Sequence, residues 1–88
     1  LPDESVLAPA LEGLACVAAA RRQPERAAVI LGAAESIRTR TGTPRAAQES
    51  ADADRAAGAA ADALGDEAFA EAVDRGRHMS VQDALGAA

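Results

Sequence analysis

The sequence predicts an all-α protein: an antiparallel helix hairpin followed by two or three further helices that form a solenoid end or a small bundle. Alanine, the residue with the highest helix propensity, supplies 26 of the 88 residues. Apolar residues recur at three- and four-residue spacing, and no segment shows the alternation typical of a half-buried strand. Prolines and glycines divide the chain into segments of helical length.

The first predicted helix runs from about Asp3 to Arg22. Its candidate caps are Asp3, Glu4 and Ser5. Its main apolar face consists of four residues at helical spacing: Leu7, Leu11, Leu14 and Ala18. The neighbouring residues Ala10, Cys16 and Val17 widen this face. Because a single neighbouring helix covers a narrower stripe, we expect the first helix to be covered from two sides.

The second predicted helix runs from about Pro24 to Arg40. Pro24 suits the first helical position, and the acidic Glu25 suits the positive end of the helix dipole. Its predicted buried face contains Ala27, Ile30, Leu31, Ala34 and Ile37. The two or three residues that connect it to the first helix force an antiparallel hairpin, and Gly42 is predicted to end it.

The second half of the chain repeats these punctuation signals. Thr43 and Pro44 predict the start of a third helix that ends near Leu64. Its inward stripe is predicted to contain Ala46, Ser50, Ala53, Ala57, Ala60 and Leu64. Gly65 and Asp66 are expected to end it and to cap a fourth helix over residues 67–75, with Phe69, Ala72 and Val73 inward and Gly76 after its end. Ser80 and Asp83 resemble a capping box for a last short helix. We therefore divide the chain into a hairpin, residues 1–42, and a helical cap, residues 43–88.

Composition restricts the possible partners and the compartment. The formal charge of −5 and the pI near 4.7 disfavour binding to nucleic acid or to an anionic membrane, which both attract cationic surfaces. No stretch is long and apolar enough for a transmembrane helix. The single cysteine rules out a disulfide within the chain, so we expect a soluble protein of the reducing cytoplasm. The start at Leu1 instead of Met suggests a piece of a longer protein.

The core is expected to be thin. Leu, Ile, Val and Phe together supply only 15 of the 88 residues, and there is no Trp or Tyr. Alanine buries little area, so the helices are expected to be locally robust while their mutual packing stays weak. This imbalance predicts that further protein surface covers part of the molecule.

No residue pattern predicts an active site, a cofactor or a bound metal. His78 has no second histidine to complete a metal site, so a structural or solvent-exposed role is expected. Cys16 lies in an apolar run without a base, so it is expected to be buried in the core. Two acidic groups lack calcium-loop spacing and are expected to be solvated: Asp52, Asp54 and Asp62, and Asp66, Glu67 and Glu71. The serines Ser5, Ser36, Ser50 and Ser80 lack a nucleophile-elbow context. Arg21, Arg22 and Arg26 cluster at the first turn, where a solvated loop is favoured over a phosphate or acidic-partner site.

The first hairpin, LEGLACVAAARRQPERAAVILGAAESIRTRTG, resembles a tetratricopeptide repeat of two helices in about 34 residues. The residues that match its pattern are Leu11, Leu14 and Ala15 in the first helix and Ala27, Leu31 and Ala34 in the second. The sequence departs from the pattern where Leu11 and Ala18 replace large aromatic residues and where Arg22 replaces the usual glycine of the turn.

A longer run resembles the helical C-terminal region of large actinobacterial transcriptional regulators, the LuxR-type or cyclase-linked proteins with a signalling ATPase core. The matching segments follow in order: Ile30 to Arg38, Pro44, Leu64 to Phe69, and Gly76 to Ala84. The Ala- and Asp-rich third helix departs from that pattern. The resemblance implies a non-catalytic repeat scaffold that relays a signal or contacts a protein, without binding ATP or DNA itself.

The predicted partners are other domains of the same chain or another protein. A partner is expected to contact the concave face lined by the first helix, with Leu7, Leu11, Leu14 and Ala18 as the contact residues. Two alternatives remain open at this stage. The first helix could pair with its copy in a homo-oligomer, or the chain could be an accessory helical segment of a nucleotide-using enzyme.

Overall fold

The computed structural model describes residues 4–42 and 47–87 and confirms the predicted all-α class, with no strand among those residues. Those residues form five helices: α1 Glu4–Ala20, α2 Pro24–Thr41, α3 Ala47–Leu64, α4 Asp66–Arg77 and α5 Val81–Ala87. Helix α2 is central and contacts each of the other four helices, so the predicted hairpin and cap segments pack directly on one another. The predicted helix starts at Asp3 and at Thr43 and Pro44, and the inward position of Ala46, lie outside the described residues.

The α1–α2 connection is a three-residue turn that closes the hairpin. The backbone N–H of Gln23 donates to the carbonyl oxygen of Ala18 at 2.9 Å, and that of Arg22 donates to Ala19 at 3.1 Å. This pair of hydrogen bonds is the Schellman arrangement, which needs one residue in the left-handed region. Arg22 adopts that conformation, with φ of 59°. Arg22 stands where the tetratricopeptide pattern has glycine, and its backbone adopts the left-handed conformation that glycine favours.

The end of α2 agrees with the sequence prediction to within one residue. Gly42 has φ of 66°, and its N–H donates to the carbonyl oxygen of Arg38. Because glycine adopts this conformation without a steric penalty, it ends the helix efficiently.

The core is built largely from alanine. Its main cluster joins Leu11 of α1 and Ile30 of α2, the two largest fully buried side chains, to Ala84 of α5 and to α3. Helix α3 contributes Ala53, Ala56 and Ala60, of which Ala53 and Ala60 were predicted. The predicted residues Ser50, Ala57 and Leu64 are only half-buried. Small side chains on α3 allow its backbone to approach the hairpin closely, which is how a sequence poor in large residues still closes a core.

Helices α2 and α4 cross at two glycines. A Cβ atom built on Gly32 would lie 2.0 Å from the backbone oxygen of Val73, and one on Gly76 would lie 2.0 Å from that of Val29. No side chain larger than hydrogen fits at either position without a backbone shift. The prediction that Gly76 follows the end of the fourth helix is therefore wrong: α4 continues to Arg77, and Gly76 is buried within it.

The remaining details of α4 and α5 follow local rules. Phe69 is half-buried, and Ala72 and Val73 are buried against α2, as predicted. The N-cap of α4 is Gly65, and Asp66 is its first helical residue instead of its cap. The backbone N–H of Asp83 donates to Ser80 Oγ at 3.1 Å, which confirms the predicted cap of α5.

Candidate interaction surface

The four residues predicted to contact a partner occupy different environments. Leu11 and Ala18 are buried in the core of the chain itself, and Leu7 packs against that core. Leu14 is 39% exposed. Of the four, Leu14 is therefore the residue most accessible to a partner, while Leu11 and Ala18 already have neighbours within the chain.

The accessible surface of α1 lies to one side of that predicted face. It is formed by exposed residues, which we call the outer face of α1: Val6, Ala10, Gly13, Leu14, Val17 and Ala20. Val6 is 64% exposed and Val17 is 49% exposed, although both are β-branched apolar residues. Their spacing places them on one side of the helix. The helical spacing predicts that Val17 and Ala10 widen the apolar face, but it does not single out Val6.

The outer face of α1 carries no charged side chain. From Val6 to Ala20 the only charged residue is Glu12, and Glu12 is buried. The solvent-facing side of a surface helix is normally polar or charged, because only the core-facing side gains from being apolar. The missed signal was therefore present in the sequence, as a run of 15 residues with one charge.

Glu12 is neutralised by Arg38 of α2 inside the hairpin. Arg38 Nη2 donates to Glu12 Oε1 at 2.6 Å, and Arg38 Nε donates to Glu12 Oε2 at 3.1 Å. The two side chains are 8% and 5% exposed. A fork of two parallel hydrogen bonds is the strongest geometry for this pair of groups. Sequence analysis missed the pair, although Arg38 continues the helical spacing of Leu31 and Ala34.

A groove of about 570 Å³ separates α1 from α3 beside the outer face. Its walls include Gly13 and Ala20, which also belong to the outer face, together with small residues of both helices: Pro9, Ala19, Ala56 and Ala59. The polar residues that line it are Glu12, Cys16, Asp52 and Arg55, and Arg55 donates a hydrogen bond to Asp52. The groove is therefore mainly apolar, and the exposed ion pair between Arg55 and Asp52 lies on its α3 side.

Cys16 is half-buried in this groove, and its thiol contacts the backbone oxygen of Asp52 at 3.5 Å. Burial raises the pKa of the Cys16 thiol above its usual value, and the nearby Asp52 carboxylate raises it further. A thiol with a raised pKa forms little thiolate at neutral pH and is a weak nucleophile. His78 does not line the groove, so the groove lacks an imidazole base.

Within the described part of the chain, the other candidate residues are spread over α2, α3 and the ends of α1, α4 and α5. His78 is exposed at the C-cap of α4, with Nδ1 2.8 Å from the backbone oxygen of Asp74. Arg21, Arg22 and Arg26 are exposed at the first turn, where Arg26 donates to the Gln23 side chain at 3.2 Å. Ser36 and Ser50 are half-buried, and Ser80 caps α5. The side chain of Ser5 lies outside the description.

The acidic residues of α3 and α4 that were predicted to be solvated are exposed, apart from the half-buried Asp52. Among the described residues, no group of three or more His, Cys, Asp or Glu side chains is placed to hold a metal ion. Glu25 and Glu35 of α2 instead pair with arginines of α4: Arg75 donates to Glu25 at 2.7 Å, and Arg77 donates to Glu35 at 3.0 Å. These exposed pairs lie on the two helices that cross at Gly32 and Gly76, and they add charge complementarity to that contact.

Comparison of the chain with family models, with curated proteins and with solved structures found no match. Within residues 4–42 and 47–87, no helix has the combination of length and hydropathy that spanning a bilayer requires.

Proposed function

We propose that this chain is a non-catalytic helical interaction module through which a bacterial transcriptional regulator contacts a protein or relays a signal. The observation that carries the proposal is the outer face of α1, an exposed and uncharged helix side with Val6, Leu14 and Val17 at its surface. Exposed apolar patches of this kind mark contact surfaces in proteins.

The adjoining groove supports the same function. It continues the outer face through Gly13 and Ala20, so a helix laid along α1 would contact both surfaces. Recognition of a helix by a shallow apolar groove needs spaced apolar anchors and no catalytic group, and these surfaces provide the anchors.

The regulator context rests on the resemblance of the segments from Ala10 to Leu85 to the helical region of actinobacterial regulators. The cytoplasm is the compartment we propose, because the single Cys16 is a free thiol and a regulator acts where the transcripts are made. The transcript measurement below tests the regulator context together with the contact surface, and fractionation of the cells tests the compartment.

The test is to replace Val17 by Glu in the gene of the organism and to measure transcript levels. Val17 is half-exposed and lies outside the core, so the unfolding free energy of the protein is expected to change by less than about 0.5 kcal/mol. The matched control is Ala51→Glu, which adds the same charge at an exposed position of α3. A strain without the gene defines the transcripts under control.

We expect Val17→Glu to reproduce at least part of the transcript changes of the deletion strain, and Ala51→Glu to leave them at wild-type levels. Equal cellular amounts of the two variants would exclude degradation as the cause. A deletion that changes no transcript would contradict the regulator function. A Val17→Glu strain that matches the wild type, while the deletion does not, would contradict the role of the outer face.

A further inference from the structure

We propose that a second copy of this chain occupies the outer face of α1, so that two α1 helices pack antiparallel about a twofold axis. The inference rests on the proposed function, because it takes the outer face as the contact surface and names its occupant. Three observations support it: the order of large and small residues along the face, the free space above Gly13, and the distribution of charge at the two ends of α1.

The outer face has a self-complementary order of side chains. An antiparallel register that places Val6 opposite Val17 of the second copy also places Ala10 opposite Gly13 of the second copy. The twofold axis then makes each of these contacts occur twice. Val6 and Val17 therefore meet at both ends of the contact, Ala10 and Gly13 meet near its centre, and Leu14 lies between Gly13 and Val17 on the same face.

Gly13 fits the centre of such a contact. A Cβ atom built on Gly13 would meet nothing within 4 Å, so the fold of the single chain does not require glycine there. Glycine inside a helix is also destabilising relative to alanine. Small residues at the centre of a helix pair let two backbones approach closely, so a second helix gives Gly13 the packing reason that the isolated chain lacks.

The charges at the ends of α1 favour the antiparallel orientation. In the sequence, Asp3 comes directly before α1 and Glu4 is the first residue of that helix, whereas Arg21 and Arg22 follow its end. In an antiparallel pair the acidic end of one helix lies beside the basic end of the other, whereas a parallel pair sets like charges together. The helix dipoles also oppose one another favourably when antiparallel.

The net charge of −5 does not oppose this contact at the face itself. Between Val6 and Ala20 only Glu12 is charged, and Arg38 pairs with it inside the hairpin. A 17-residue helix is about 25 Å long, and one helix pair buries less than the ~1,200 Å² of a stable interface. We therefore expect a weak dimer, with a dissociation constant on the order of 100 µM.

The experiment is sedimentation equilibrium of the 88-residue chain from about 10 µM to about 1 mM, concentrations that bracket such a constant. Val17→Glu alone and Val6→Arg alone are each expected to weaken dimerisation at least about tenfold, since each places an unpaired charge in the contact. An equimolar mixture of the two variants is expected to restore it, because Glu at position 17 then faces Arg at position 6. Circular dichroism confirms that each variant stays helical, and Ala51→Glu is the charge control.

Three results would overturn the inference. The chain could remain monomeric at every concentration, it could dimerise with no effect of Val17→Glu, or the mixture could fail to restore association. The last result is specific to the antiparallel register, because a parallel pair would never bring positions 6 and 17 together.

The failure of this inference is distinguishable from that of the proposed function. A monomeric chain whose Val17→Glu variant still alters transcripts would leave the outer face as a contact surface for a different protein. If Val17→Glu dissociated the dimer but changed no transcript, the antiparallel pairing of α1 would be supported and the regulatory function would be contradicted.

Discussion

At the scale of single residues, the Glu12–Arg38 pair explains how α1 can have an uncharged surface and still contain a carboxylate. The pair links the middle of α1 to the last part of α2, away from the three-residue turn that connects the two helices. Taking two charges out of water is costly, and the cost is offset only while both partners are present. The pair therefore fixes how the two helices of the hairpin lie against each other.

Replacing Glu12 by Gln is expected to lower the unfolding free energy by about 3 kcal/mol, because it removes the buried carboxylate that accepts two hydrogen bonds from the buried Arg38 guanidinium. The matched control is Glu35→Gln, which removes the carboxylate from the exposed pair with Arg77 and should cost less than about 1 kcal/mol. Urea unfolding followed by circular dichroism measures both. Equal losses would contradict a special role for the buried pair.

The reactivity of the Cys16 thiol is expected to depend on pH in a way that reflects its raised pKa. Because burial and Asp52 raise the pKa of the thiol, its reaction with iodoacetamide is expected to be slower than that of an unfolded control at pH 8 and to rise toward higher pH. The raised pKa of the thiol also determines how this group contributes to the free energy of unfolding as the pH changes. The folded state binds the thiol proton more tightly, so this group's contribution is complete below the unfolded pKa and is lost as the pH rises through the folded pKa.

Alkylation rates measured from pH 7 to pH 10, with and without urea, would show the difference directly. Identical pH profiles in the two conditions would contradict a raised pKa. Since Cys16 is the single cysteine of the chain, the mass of the labelled protein identifies the site without further mapping.

At the scale of helices, the crossing of α2 and α4 depends on Gly32 and Gly76. Replacing either by Ala is expected to lower the unfolding free energy by about 2–3 kcal/mol, because the added Cβ would overlap a backbone carbonyl. The control is Gly58→Ala in α3, where a Cβ meets nothing within 4 Å, and this change should stabilise the protein by about 0.5–1 kcal/mol. Thermal melts of the three variants measure these opposite signs.

If Gly58→Ala lowered the unfolding free energy as much as Gly32→Ala does, the loss could not be attributed to the crossing of α2 and α4.

The sequence predicted where these helices lie to within a few residues, because helix propensity, a proline at a helix start and a glycine at a helix end all act locally. It could not distinguish a glycine that ends a helix from one that accommodates a crossing. Gly76 was assigned to the first kind, and the structure places it in the second.

At the scale of the whole molecule, α2 is the element with neighbours on every side. It contacts α1, α3, α4 and α5, and an uninterrupted run of its residues from Ala27 to Ala34 is buried. We expect amide hydrogen exchange to be slowest in the middle of α2 and at least about tenfold faster in the middle of α3, which has an exposed outer side. Exchange measured by NMR tests this ranking, and slower exchange in α3 than in α2 would contradict it.

The all-α class, the hairpin, both ends of α2 and the start of α5 could be predicted from the sequence, because each depends on residues close together along the chain. Packing between distant helices establishes which side of α1 is buried, the contact of Glu12 with Arg38, and the crossing at two glycines. These features join residues 26 to 47 positions apart. Helical spacing identifies the faces of each helix, but the face that becomes core depends on which distant helix packs against it.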